Sequence, residues 1–356
     1  MGIPTPNYPK SRFIRAVHFD KTRIHKGDGD MWPLTWADDG HLYGAAGDNM
    51  GSPMNFWRIE GDPYFFAGLF PFLVDNLPLD PAEYCTDPQV HPKIGLKPAG
   101  IICVDGVLYW AVVGMNYGEE RYGFRQRNVH GWIITSHDHG KTWNRQATDR
   151  YFFTGRVAAP SFLQFGKNNA GARDEFVYAY FASSKEGVSF WENGDEILLG
   201  RVHQERILDR AAWTFYGGLV EGEPVWVRDD REAVPVFEYP YMTGENHVNY
   251  NAGLGRYIMG NYGFVGPDGN PLPYHANEEV RGPSQLTLFE AREPWGPWKL
   301  FYREDNWGTF GDYNPTFPPK WMSEDGKTMY LVSSGSFDDY NFTVQKVTLE
   351  IDEEER

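Results

Sequence analysis

Apolar and polar positions alternate along this chain in short strand-like runs separated by turn residues, and few segments longer than ten residues keep a helical period without Gly or Pro. Five times, two such runs are joined at a turn and the second is rich in Tyr, Gly or small residues: 33–47, 100–114, 160–183, 247–261 and 315–334. A third run follows each pair, at 56–60, 131–136, 197–203, 285–290 and 342–349, and a fourth follows three of them, at 142–146, 213–216 and 298–302. The fourth run of the first unit falls within 64–74. A period of roughly 60 to 90 residues repeated five times predicts an all-β fold, a five-bladed β-propeller forming a single domain over residues 1–356. Two packed sandwiches would hold as many strands but give no reason for five similar units. The last unit runs out of chain before its fourth strand, and a spare run at 12–19 precedes the first unit. The N-terminal strand is therefore expected to close the ring as the outer strand of the last blade.

Ser136-x-Asp138-x-Gly140-x-Thr142-Trp143 supports this locally. Asp138 can accept hydrogen bonds from the turn's own backbone, Gly140 can adopt positive φ, and Trp143 can pack between blades. The motif resembles the Asp-box of sialidases and other propeller glycosidases. The resemblance implies a structural aspartate remote from the working face, so Asp138, His137 and His139 are set aside as catalytic residues.

The composition supplies enough apolar (41%) and aromatic (16%) residues for a large core, and its 39 Gly and 25 Pro mark many turns. A formal net charge of −16 argues against a nucleic-acid partner, because phosphates would find no broad neutralising surface. Acidic and aromatic residues together suit a carbohydrate cleft: sugar C–H faces stack on Trp and Tyr, and carboxylates accept hydroxyl hydrogen bonds. Cys85 and Cys103 are too few for a disulfide scaffold and show no metal-ligand spacing, so neither metal nor cofactor is expected. No run approaches a membrane-spanning length. The N-terminus lacks the apolar stretch of a secretory leader, which leaves a cytoplasmic location or a leader removed beforehand.

In a propeller, the turns between first and second strands lie on one face. The loops entering each first strand and leaving each second strand lie on the other. Here the former are short in four units (38–40, 105–106, 252–255, 323–326), while 117–130, 184–196 and 262–283 are long. Long loops over a rigid ring are where binding residues collect. The channel mouth on that side is expected to carry Asp30, Trp32, Asp48 and Asn49 from blade one, Lys97 and Asn116 from blade two, and Arg156 from blade three. Blade four brings Glu245, His247, Asn261 and Tyr262, and blade five Asp312, Tyr313 and Ser336, with Asp338 and Asp339 nearby.

Asp30 enters the first strand of blade one and Asp48 leaves the second, so the hairpin brings both to one end. Glycoside hydrolysis needs two carboxyls flanking one bond, and close like charges drive their protonation apart. Asp30 and Asp48 are the expected catalytic pair. Glu245 and Asp312 are rival carboxylates, and Asp30 with Glu245 would span the channel. Trp32 and Tyr313 are candidate stacking surfaces for a sugar. Arg156 is a candidate for binding a substrate oxygen or holding a carboxylate ionised, and His247 for a general acid.

Over 29–48 the chain resembles a family long carried as a domain of unknown function, with looser similarity at 246–251 and 311–317. Members of that family are endo-D-arabinanases, five-bladed propellers that cleave arabinofuranose polymers. The resemblance implies Asp30 and Asp48 as the catalytic pair and an arabinofuranosidic substrate. Two alternatives stand beside hydrolysis. One is a polysaccharide lyase drawing on His247, His130, Tyr262 and Arg156. The other is a glycan-binding propeller without catalysis.

Overall fold

The computed structural model describes residues 5–27, 29–49, 52–63, 70–75, 95–116, 125–274, 282–308, 311–334 and 341–356. Within 48–53 and 70–75 it describes backbone only, apart from masked positions 50 and 51. Cys85, Tyr117, Ser336, Asp338 and Asp339 lie outside the described residues, as do the side chains of Asp48 and Asn49.

The strands form five antiparallel sheets. Blade one runs Asp30–Trp36, Leu42–Asn49, Ser52–Glu60 and Phe70–Asp75 from the channel outward. Blade four repeats the plan with His247–Asn251, Arg256–Phe264, Ser284–Ala291 and Lys299–Trp307. Blade five is Tyr313–Thr316, Thr328–Ser334, Phe342–Ile351 and, outermost, the N-terminal strand Ile14–Lys26. That strand pairs from Ile14 opposite Ile351 to Lys26 opposite Phe342, so the ends of the chain close the ring, as the leftover run at 12–19 indicated. Each inner strand touches the inner strands of its neighbours all the way round.

Two blades depart from the simple plan. In blade two, Gly95–Val104, Val107–Met115 and Arg127–Ser136 form as expected, but 142–146 makes no fourth strand. Only Asn144 bridges back to Thr135. Trp143 instead turns inward, its ring 4.9 Å from Phe56 and 5.3 Å from Trp110. The vacated edge pairs with two distant pieces, Phe153–Thr154 and Ser189–Phe190. Blade three holds Pro160–Phe162, Phe176–Ser183, Gly194–His203 and Thr214–Val220, extended by Glu223–Val227, while Phe237–Thr243 also pairs with Gly194–His203. The first connection of blade five is longer than 323–326, because the inner strand ends at Thr316 and a short 3-10 turn, Pro319–Trp321, precedes Thr328.

The strands of a blade are sandwiched between neighbouring blades, which is why Gly95–Val104 and Val107–Met115 are buried almost throughout and read as continuous apolar runs. Packing this close explains the small residues of the repeats. A Cβ on Gly100 would stand 2.7 Å from both Phe162 N and Pro160 O of the next blade. One on Gly260 would stand 2.6 Å from Pro315 O. Backbone meets backbone at these points, and a side chain would force the blades apart.

The turn at Ser136–Trp143 is held by its own side chains. Asp138 accepts from Thr142 N (2.9 Å), Thr142 Oγ1 (2.6 Å) and Ser136 Oγ (2.8 Å). Ser136 Oγ accepts from Gly140 N (2.8 Å), and Trp143 Nε1 donates to Gly140 O (3.1 Å). His139 stands 2.7 Å from Asp38 of blade one, joining two blades on the turn face.

Candidate active site at the channel mouth

The inner strands are irregular where they reach the mouth. Register shifts fall between Met31 and Leu34, between Pro98 and Ile101, and between Tyr313 and Thr316. Met31, Trp32 and Asn314 adopt positive φ (80°, 55° and 52°) although none is glycine. Such backbone costs on the order of 1–3 kcal/mol per residue and clusters at functional sites, where a bulge re-aims side chains.

These irregularities surround one cluster. Asp30, 3% exposed, accepts from Lys97 Nζ at 3.2 Å (Oδ1) and 3.1 Å (Oδ2). Tyr313 donates its hydroxyl to Asp30 Oδ2 at 3.1 Å. Lys97 is 1% exposed, so blades one, two and five meet in a buried ion pair braced by a phenol. A buried cation in contact with both oxygens supplies the countercharge for an ionised Asp30.

Glu245 approaches from blade four. It is 2% exposed, and its Oε1 has no hydrogen-bond partner. Burial pushes its carboxyl up to about 8; a hydrogen bond from Asn314 opposes this, Asp30 adds to it, and Lys97 opposes it. Near neutral pH, Glu245 therefore holds a proton beside Asp30 and its lysine partner. Two carboxyls whose environments drive them apart in this way are arranged as an acid and a base or nucleophile.

Blade three contributes Trp191, from the long loop before Gly194–His203. Its carbonyl accepts from Glu245 N (2.8 Å) and Tyr262 Oη (2.9 Å), and its ring lies 5.7 Å from that of Tyr313. Trp191 Nε1 donates to Gln126 Oε1. Sequence reasoning marked this loop as long but passed over its tryptophan. The adjacent aromatics Phe190 and Trp191 in a long mouth-side loop were the available signal.

Gly47 lies opposite Asp30 in the hairpin. A Cβ there would sit 2.6 Å from Asp30 Oδ1 and 3.2 Å from Lys97 Cδ, so the ion pair rests on a bare backbone. Gly47→Ala is expected to displace the pair and lower kcat at least about tenfold, consistent with the sensitivity of catalysis to misplaced groups. An unchanged kcat in a variant that keeps the parent's circular dichroism would contradict this geometry.

The other expected site residues are placed differently. Trp32 is fully buried, with its ring 5.7 Å from Trp57 and 5.0 Å from Phe342, and packs as core rather than as a stacking surface. Arg156 pairs with Glu196 at 2.7 Å and also donates to the carbonyls of Asp230 and Ala233, which holds it within the blade-three side of the structure. Asp312 is fully buried and paired with Arg23 of the outer N-terminal strand. Asn261 donates to Met242 O and Thr287 Oγ1 (both 3.0 Å) and accepts from Asn246 (2.9 Å), a network that ties blade four to Phe237–Thr243. Asn116 is half-buried at the end of its strand, its N–H bonded to Arg127 O. Asp48 and Asn49 continue the strand past Gly47, and Asn49 lies opposite Ser52.

His247 lies below the cluster, where the channel narrows between Leu34, Phe162, Gln164, Asn249 and Thr316 and leaves no room for a water molecule. Its Nδ1 is 3.0 Å from Ser161 Oγ, and burial pushes the imidazole down to about 4. The ring is neutral at physiological pH, which removes the proton that a general acid would donate. Among the described residues, no group of three His, Cys, Asp or Glu side chains could hold a metal ion.

The fold is similar to that of a candidate hydrolase from Bacteroides ovatus ATCC 8483 (TM-score 0.55, 12% identity, 92% of this chain and 87% of that chain covered). It is similar also to the GH43_1 enzyme from Xanthomonas citri (TM-score 0.51, 12% identity, 93% and 94% covered). At these identities the likeness shows the fold alone. No curated protein matches the chain. In sequence, the model of DUF4185, described as a domain of unknown function, matches residues 87–346, a span that takes in blades two to four and the inner strands of blade five and leaves Asp30 outside it. This match covers most of the chain, and the protein belongs to the DUF4185 family.

Proposed function

We propose that this protein is a glycoside hydrolase in which Glu245 protonates the glycosidic oxygen and Asp30 acts on the anomeric carbon, directly or through a water. The observation that carries the reading is the opposed state of the two carboxyls: Glu245 protonated by burial, and Asp30 paired with Lys97 and Tyr313. As the leaving group departs, an oxocarbenium-like centre develops beside the Asp30 charge, in a site excluded from bulk water where that charge is least screened. The candidate hydrolase from Bacteroides ovatus and the GH43_1 enzyme from Xanthomonas citri, similar in fold, support the reaction class.

The finer reading, cleavage of arabinofuranosidic linkages, rests on the resemblance over 29–48. Asp48 is the alternative partner for Asp30, on the strength of its position next to Gly47. A lyase is less well supported. It needs a cation for the uronate acid, and Arg156 is engaged by Glu196 while Lys97 is engaged by Asp30.

Incubation with a panel of polysaccharides that includes D-arabinan should release reducing sugars from at least one, without an unsaturated, ultraviolet-absorbing product. The anomeric configuration of the first product, read by NMR, tells whether Asp30 attacks the sugar or activates a water. An unsaturated product would reject hydrolysis in favour of elimination.

A further inference from the structure

The opposite end of the channel opens into a second pocket of about 510 Å3, within the range of about 300–1,000 Å3 usual for small-molecule sites. It is built where the inner strands reach the turn face, from Trp36 of blade one, Phe165 and Lys167 of blade three, Tyr250 of blade four, and Met322 and Glu324 of blade five. The constriction at Phe162, Gln164 and Asn249 separates it from Asp30. Gln164 ties that constriction together: its side chain donates to Ile101 O (2.7 Å), its N–H to Val248 O (3.3 Å), and its carbonyl accepts from Tyr250 N (2.9 Å). The two ends of the channel are thus separate sites.

The second pocket has an aromatic wall. Phe165 and Tyr250 lie 5.5 Å apart with their rings tilted by 45°. Trp36 is half-buried and lines the pocket with its indole ring. At the rim, Lys167 and Glu324 are exposed and carry opposite charges, so neither an anion nor a cation is selected. An aromatic wall and a rim offering both a donor and an acceptor match the apolar C–H face and hydroxyl edge of a neutral sugar ring.

We propose that this pocket is a second carbohydrate-binding site, which holds a neutral saccharide unit of a polymer without cleaving it. Glu324 is the sole carboxylate among its lining residues, so the paired acids that hydrolysis requires are missing there. The site anchors one stretch of polymer on the turn face while the channel mouth engages another chain or another stretch of the same chain. Such two-point attachment raises the affinity for polymers over short oligosaccharides.

The test is affinity electrophoresis in native gels containing soluble arabinan, mannan or xylan. Using the Asp30→Asn protein keeps the polysaccharide intact and makes the result independent of hydrolysis. At least one polysaccharide should retard this protein. Adding Trp36→Ala, or filling the pocket with Ala252→Arg at an exposed lining position, should weaken the retardation at least about tenfold in apparent affinity. Both substitutions, placed in the active protein, should leave kcat/KM on short oligosaccharides unchanged. Trp36→Ala tests the aromatic wall, and Ala252→Arg tests the pocket with that wall intact. Retardation unchanged by Ala252→Arg, or no retardation of the parent in any of the three gels, overturns the proposal.

Discussion

Asp30→Asn is expected to reduce kcat by about 10⁴-fold with little change in KM, the pattern of a group that acts in the transition state rather than in substrate binding. The substitution keeps the side chain's size and its capacity to accept from Tyr313, but removes the negative charge beside the developing positive centre. Asp30→Gly opens a space that a small anion can enter, so added azide should restore part of its turnover if Asp30 is the attacking group. A purely structural Asp30 would give no such rescue. The stability effect is separable. Removing a charge from a buried ion pair typically costs about 3–5 kcal/mol, so thermal unfolding should shift downward in Asp30→Asn as well. Activity is therefore to be measured well below the new Tm. Hydrolysis within tenfold of the parent would remove Asp30 from the mechanism. Asp48→Asn belongs in the same assay: a loss as large as that for Asp30, paired with a mild effect at Glu245, would move the second role to Asp48.

The ring was legible because each blade repeats the same backbone constraints, and the repeat leaves a mark wherever strands must pass between close neighbours. Gly100 and Gly260 are small for that reason, and small residues recurring in the repeated strands are visible in one dimension. The closing strand was legible by subtraction, since one unit lacked a strand and one strand lacked a unit. The edge of blade two was not. Thr142–Gln146 alternates like a strand, yet the segments that occupy that edge come from 153–154 and 189–190, and no local pattern announces pairing between such distant pieces.

Positions at the mouth were legible, but the direction of each side chain was not. Asp30, Glu245 and Tyr313 converge, while Trp32, Arg156 and Asp312, chosen by the same rule, enter core packing or ion pairs elsewhere. The difference lies in bulges and positive-φ residues that break strand alternation at the mouth. Nor could the ranking of the carboxylates be read from the sequence. Glu245 differs from Asp312 through neighbours supplied by other elements: Asn314, Asp30 and Lys97 against Arg23.

Glu245 should therefore leave its mark on the pH profile. With its carboxyl raised to about 8, kcat/KM is expected to fall above that pH as the catalytic proton is lost. Glu245→Gln should lower kcat/KM by roughly 10²–10⁴-fold on substrates with poor leaving groups and abolish the alkaline limb. Aryl glycosides with acidic phenols, which need little protonation, should lose far less. That contrast separates a proton donor from a group that only shapes the pocket. Stability supplies an independent reading. A carboxyl whose folded value lies above its ordinary 4.5 favours the folded state fully below pH 4.5, and that contribution is lost as pH rises through about 8. Denaturant unfolding of the parent should accordingly weaken between these limits, and Glu245→Gln, which has no proton to lose, should show a flatter profile over the same interval. If the alkaline limb persists in Glu245→Gln while the stability profile flattens, the buried proton is real but another residue donates in catalysis. If neither changes, Glu245 is ionised in the folded protein and the division of roles between the two carboxyls fails.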